Sequence, residues 1–446
     1  MIDTAWEKRI LPALSEYTRI PCLSPAFDPE WAGRGAILQA AELLRDWVKD
    51  QDPSLGVEIV QLPGRTPVLL IDNGGRGDPI LIYGHMDKQP PLGEWRAGLA
   101  PFEPVRQGDL LYGRGTADDG YSTFAAVTGL LAAGGGRGHV LILIEASEES
   151  GSPDLAAYVA HLRGRIGSPS LVVCLDSGGL SYDRLWLTSS LRGNVVATVR
   201  VDVLTEGIHS GAGGGVVPSS FRILRRILSR IEDEASGQIL LPELLGGGIP
   251  AQHRANLESL AAEFPDADLP VVDGLHLLAP DPVERLTART WSAALAVTGM
   301  DGIPACRDGG NVLRPFTTLK FSLRLPPDVD AQVATDALIS AIATDEGARI
   351  TIDLEPAAQG WLAPPLDDGI AAILRRVSVE RFGREPGFVG EGGSIPFLAD
   401  LQKAYPGTQF VATGVLGPHS NAHGPNESLH IPMAKAVTHA VAELLR

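Results

Sequence analysis

Three apolar runs in the first 180 residues each end in ionisable side chains. Leu81-Ile-Tyr-Gly84 leads into His85-Met-Asp87, His139–Glu145 into Ser147-Glu148-Glu149, and Ser170–Leu175 into Asp176. Short apolar runs bounded by turn residues read as buried strands. Helical segments between them argue for a largely parallel sheet. In such sheets ligands gather outside the carboxyl ends of the strands. A neutral imidazole there suits a metal, and Asp87 could orient it or work in catalysis. Taken alone, His85 is more simply a hydrogen-bonded turn histidine.

The rest of the chain fits this frame. Helices are expected over 4–17, 34–50, 121–132 and from about Pro153, with strands at 57–61, 67–72, 79–84, 139–145 and 170–175. The loop after 84 is long and rich in Pro and Gly. Gly113-Arg-Gly115 lacks the third glycine of a dinucleotide fingerprint. Near 188 the pattern changes to alternating strands, at 195–204, 317–325 and 348–354, with helices at 218–234 and 329–343. Alternation predicts an α+β layer with one wet sheet face. Stretch 236–315 gives no clear periodicity. A helix at 366–382, a strand at 408–412 and a final helix from Pro432 rejoin the first region.

The chain has 446 residues, long for a single core, so two domains are expected. A formal net charge of −17 argues against a nucleic-acid surface. Three widely spaced cysteines, Cys22, Cys174 and Cys306, suggest neither a disulfide framework nor a thiolate zinc site. The charged N-terminus and the lack of a long apolar run lead to the expectation of a cytoplasmic protein with no membrane partner.

His85, Asp118, Glu149, Asp176 and a late histidine form an N/O donor set suited to two divalent metals, one carboxylate bridging. Of the adjacent pair, one glutamate can bind metal while the other faces substrate as a general base.

Taken in order, Gly84-His85-Met-Asp87, Trp95 with Pro101–Pro104, Leu111–Asp119, Ser147–Gly151, Leu175–Gly178, His209-Ser-Gly211, Glu391–Pro396 and His423–Glu427 resemble the motifs of metallopeptidase family 20. This is a family of co-catalytic zinc hydrolases that includes carnosinase-type dipeptidases, glutamate carboxypeptidases, aminoacylases and succinyl-diaminopimelate desuccinylase. The resemblance implies an α/β catalytic domain with a mostly parallel sheet, of the phosphorylase/hydrolase-like, zinc-peptidase type, over 1–187 and 359–446. It further implies an inserted α+β lid and dimerisation domain over 188–358. Asp118 would bridge two metal ions, Zn2+ or else Mn2+ or Co2+. His85 and Asp176 would complete one site, Glu149 and His423 the other. His423 is preferred to its rival His419 because it begins the family's His-x-x-Asn-Glu pattern.

By the same resemblance Asp87 would orient His85, Glu148 would be the general base, and the Asp118–Asp119 peptide would be cis. His209 would stabilise the oxyanion in a partner subunit's site, making the enzyme a homodimer through the lid. Asn311, Arg324, Gly393 and Ser394 would hold substrate. Asp119-Gly120-Tyr121 stands where the family often has Asp-Lys-Gly, a departure that touches no metal ligand. Aspartate at 176 and a long lid point within the family to a dipeptidase acting on a small peptide. The alternatives are an amidohydrolase of N-acyl amino acids and a metal-binding homologue without activity; an intact Glu148 argues against the latter.

Overall fold

Strand Ile80–His85 lies between Val140–Glu145 and Leu171–Cys174, parallel to both. Gln409–Ala412 extends the sheet in parallel beyond Leu171–Cys174. On the other side Val68–Asp72 runs antiparallel to Val140–Glu145, and Gly56–Val60 runs antiparallel to Val68–Asp72. The six-stranded sheet is therefore mixed, with three parallel pairings and two antiparallel ones, and the expected parallel order holds for four of its strands. The reason is local: only 61–67 joins the outer two strands, too short for a parallel crossover, which needs about a dozen residues or more.

The computed structural model describes residues 1–136, 138–264, 269, 271–344 and 347–446. They divide into two compact units. The first is Met1–Ser189 with Ala363–Val389 and Asp400–Arg446; the second is Ser190–Leu362 with Gly390–Ala399. Gly390–Ala399, expected with the first domain, packs with the second unit. There the Arg192 guanidinium reaches the carbonyls of Gly392, Ala288 and Ser292, pinning that segment.

In the first unit, helix Ser122–Ala132 is buried along nearly its whole length, as an apolar run without an exposed stripe requires. It packs on the last helix, Ile431–Leu444, where Gly129 lies against Val441. The N-terminal helical segment 2–18 joins them through buried Trp6, whose indole donates to Thr438 Oγ1 at 2.9 Å.

The second unit has an antiparallel sheet ordered Ala294–Asp301, Phe316–Leu325, Gly193–Asp202, Arg349–Leu354. Burial alternates along both central strands. The buried face packs Val199, Phe321 and Leu323 against Ile223, Leu224 and Ile227 of helix Ser220–Ile231 and Leu338 of helix Ala331–Ile342. Each such side chain contributes about 1.5–3 kcal/mol of burial. Asp330 caps the second helix by accepting from the amides of Gln332 and Val333.

Stretch 236–315 is more regular than its sequence suggests. It holds helices Ala251–Glu263 and Pro282–Thr290 and edge strand Ala294–Asp301. The first helix buries only Leu257, Leu260 and Ala261, too few for a legible stripe. The strand is mostly exposed, and a bulge between Val297 and Gly299 interrupts its alternation.

Candidate metal centre and active site

All four parallel strands of the first unit send the chain out at one edge of the sheet. His85 ends its strand; Glu148 and Glu149 follow Glu145; Asp176 follows Cys174; and the loop after Ala412 carries His423. Asp118 arrives from the segment before helix Ser122–Ala132. Parallel register thus gathers residues that lie far apart in sequence.

The donor atoms form two groups, His85 with Asp118 and Asp176, and Asp118 with Glu149 and His423. Asp118 belongs to both. Its Oδ1 lies 3.3 Å from His85 Nε2, and its Oδ2 lies 3.0 Å from His423 Nε2. His85 Nε2 is 3.9 Å from Asp176 Oδ2, and His423 Nε2 is 3.2 Å from Glu149 Oε2. His419 is in neither group. The Asp118–Asp119 peptide is cis.

Neighbouring groups set this arrangement. The Asp87 carboxylate accepts from the amides of Glu148 and Glu149, at 3.1 and 3.0 Å, so it shapes their turn. Its Oδ1 is 3.5 Å from His85 Nδ1, which lies nearer the Asp87 carbonyl, at 3.1 Å. The Asp119 carboxylate accepts from the His85 amide at 3.1 Å. That approach requires glycine at 84, because a Cβ there would meet Asp119 Oδ2 at 2.5 Å. Gln89 donates to Glu149 Oε2 at 2.8 Å. Fully buried Lys88 donates to the carbonyls of Tyr17, Thr18 and Ile20, tying the end of the first helical segment to the His85 loop.

The charge balance fits metal ions. Asp87, Asp118, Asp119, Glu145, Glu148, Glu149 and Asp176 crowd around two histidines. Burial and Asp176 hold the Glu148 carboxyl well above its ordinary value. Burial raises Glu149, with Asp118 adding to it. Burial works to lower the histidines, but Asp118 and Asp87 hold His85 well above its usual range, and Asp118 and Glu149 do the same for His423. Such an acidic cluster is stable when cations neutralise it. Glu149 Oε1, buried and without a hydrogen-bond partner among the described residues, is an acceptor left for an ion. Oxygen and imidazole donors with no thiolate suit Zn2+, Mn2+ or Co2+.

The remaining expected residues lie in the second unit. His209 is exposed on a short strand paired with Val312–Leu313, beside Asn311, whose carbonyl accepts from the Ser210 amide. Its Nδ1 accepts from the Gly211 amide at 3.1 Å. Arg324 lies on the central strand Phe316–Leu325, opposite Asn194. Gly393 and Ser394 lie in the turn before helix Pro396–Ala404. Sequence reasoning assigned no role to Lys88, Gln89, Arg114, Arg192 or Glu427. Nothing in a single sequence marks a buried charge unless its partner is known.

An α/β sheet whose carboxyl edge carries two histidine–carboxylate groups sharing one aspartate has the donor set of a metal-dependent hydrolase. The chain belongs to Peptidase family M20/M25/M40, whose model matches residues 81–446. It is 27% identical to a cysteinylglycine-S-conjugate dipeptidase of Corynebacterium striatum, over 98% of this chain and 95% of that one. It is 25% identical to a β-Ala-His dipeptidase of Mus musculus, over 75% and 70%. Its fold matches the dipeptidase Dug1p of Saccharomyces cerevisiae with a TM-score of 0.81 at 22% identity, covering 100% and 96% of the two chains. It also matches the metallo-carboxypeptidase Sso-CP2 of Sulfolobus solfataricus, with a TM-score of 0.81 at 20% identity, covering 98% of each. The chain is thus a metallopeptidase-type hydrolase. No helix among the described residues is long and apolar enough to cross a membrane.

Proposed function

We propose that this protein is a dinuclear metal-dependent dipeptidase. The observation that carries the reading is Asp118, whose two oxygens face two separate histidine–carboxylate groups. His85, Asp118 and Asp176 would hold one ion; Asp118, Glu149 and His423 the other. When bound, the ions acidify water and polarise a substrate carbonyl. Glu148 takes the proton from the attacking water and delivers it to the leaving amide nitrogen. Asp87 fixes the turn that presents Glu148 and keeps Glu149 beside it. The second unit is assigned as lid and dimerisation domain of a homodimer. In it His209 stabilises the oxyanion in the partner subunit's site, and Asn311, Arg324, Gly393 and Ser394 hold the substrate. The protein is assigned to the cytoplasm.

The full-length relatives named as dipeptidases favour this over hydrolysis of N-acyl amino acids. The test is a screen of metal-free protein, reconstituted with Zn2+, Mn2+ or Co2+, over dipeptides, N-acyl amino acids and aryl amides. Hydrolysis of dipeptides well above the other classes supports the reading. Preferential turnover of N-acyl amino acids overturns it.

A further inference from the structure

Glu427 is fully buried and has no place in the donor set, yet four hydrogen bonds meet at its carboxylate. Its Oε1 accepts from the amides of Ala117, at 3.1 Å, and Asp118, at 3.2 Å. Its Oε2 accepts from the amide of Gly115, at 3.1 Å, and from Arg114 Nη1, at 2.6 Å. Arg114, also buried, donates its other terminal nitrogen to the carbonyl of Gly424 at 2.8 Å, one residue after His423. Strand pairing sets up the contact. Ser428–His430 runs antiparallel to Leu110–Tyr112 with Ser428 opposite Tyr112, which places Glu427 against the start of the Asp118 segment. The Glu427 carbonyl accepts from the Gly113 amide and closes the join.

The loop so held is not one that would persist alone. His419, Asn421, His423 and Asn426 all have left-handed backbone, with φ of 63°, 51°, 63° and 62°. That region is sparsely populated by residues with a Cβ, although Asn and His enter it more readily than most. Gly424 sits so close to the Asn421 side chain that an added Cβ would meet its Nδ2 at 2.5 Å. A loop in this conformation has to be over-determined by its surroundings. The Arg114–Glu427 pair is a buried contact that ties this loop to the segment of Asp118.

We propose that Glu427, acting through Arg114, is the positioning residue that sets the shared carboxylate Asp118 at its spacing from His423, so that the second ion can bind. The proposal rests on reading the cluster as a two-metal centre. An ionised carboxylate is acceptor-only and matches four converging donors; a glutamine would turn an NH2 group toward some of them. Outer partners of metal ligands typically control affinity by about 10–100-fold.

The test titrates Co2+ into the metal-free full-length chain, read by calorimetry and visible absorption, for wild type, Glu427→Gln and Arg114→Lys. Wild type should take up two ions. Glu427→Gln should bind the second ion about 10–100-fold more weakly, with kcat reduced and KM little changed. Arg114→Lys keeps a cation beside Glu427 but loses the bond to Gly424. It should weaken one ion and leave the other near wild type, a split that general destabilisation would not produce. A folded Glu427→Gln that binds both ions as wild type does overturns the proposal. If Glu427→Gln does not fold, Arg114→Lys decides, and wild-type affinity for both ions overturns it. A wild-type chain that binds no Co2+ contradicts the two-metal reading itself, and this proposal with it.

Discussion

Glu148 and Glu149 are neighbours in sequence with opposite assignments. Glu149 Oε2 faces His423, whereas Glu148 is assigned to carry a proton. Glu148→Gln keeps the shape but cannot accept a proton. Its kcat should fall by about 10²–10⁴-fold, with metal content near wild type by elemental analysis. Glu149→Gln should instead lose bound metal; if the two variants behaved alike, the division of roles would be wrong. Asp87→Asn tests the turn beneath them. Asparagine cannot accept from both amides with equal oxygens, so activity or metal affinity should fall by about 10–100-fold. An unchanged titration curve and unchanged kcat would reduce Asp87 to a packing residue.

The first helical segment is tied to two other elements through Glu7, which accepts from Arg106 at 2.7 Å and Lys435 at 2.7 Å. These hydrogen bonds, led by Arg106, lower its pKa from 4.5 to about 2. A depressed carboxylate pKa means the stabilisation is fully present above about pH 4.5 and is lost as pH falls through about 2. The group is exposed, so the effect is small, at most about 1 kcal/mol. The Tm difference between wild type and Glu7→Gln should be about 1 °C at neutral pH, hold to about 4.5, and vanish near 2. A difference that grew with acidity would contradict the assignment. Elements of this first unit were legible in sequence because their apolar runs are continuous and end in ionisable residues. The hairpin that makes the sheet mixed was not, since a short run such as 56–60 has no mark of strand direction. Helix 251–263 escaped because it buries one thin edge, and the Gly390–Ala399 segment because its attachment depends on Arg192, distant in sequence. Glu427 stood within a recognised motif, but its four donors come from Arg114–Asp118 and appear only with the strand register.

The whole molecule is proposed to be a dimer that shares its sites; His209 lies in the second unit and all the proposed metal ligands in the first. Mixing His209→Ala with Glu148→Gln under conditions of subunit exchange would put one intact site in each mixed dimer. Random exchange makes about half the dimers mixed, so roughly a quarter of wild-type activity should return if His209 stabilises the oxyanion. No recovery despite proven exchange would place His209 in its own subunit's site or outside catalysis. The central claim, that Asp118 serves two ions at once, is tested most directly by metal stoichiometry. Elemental analysis of reconstituted protein should give two ions per chain for wild type, one for His423→Ala and close to none for Asp118→Asn. An Asp118→Asn chain that still holds two ions would contradict it.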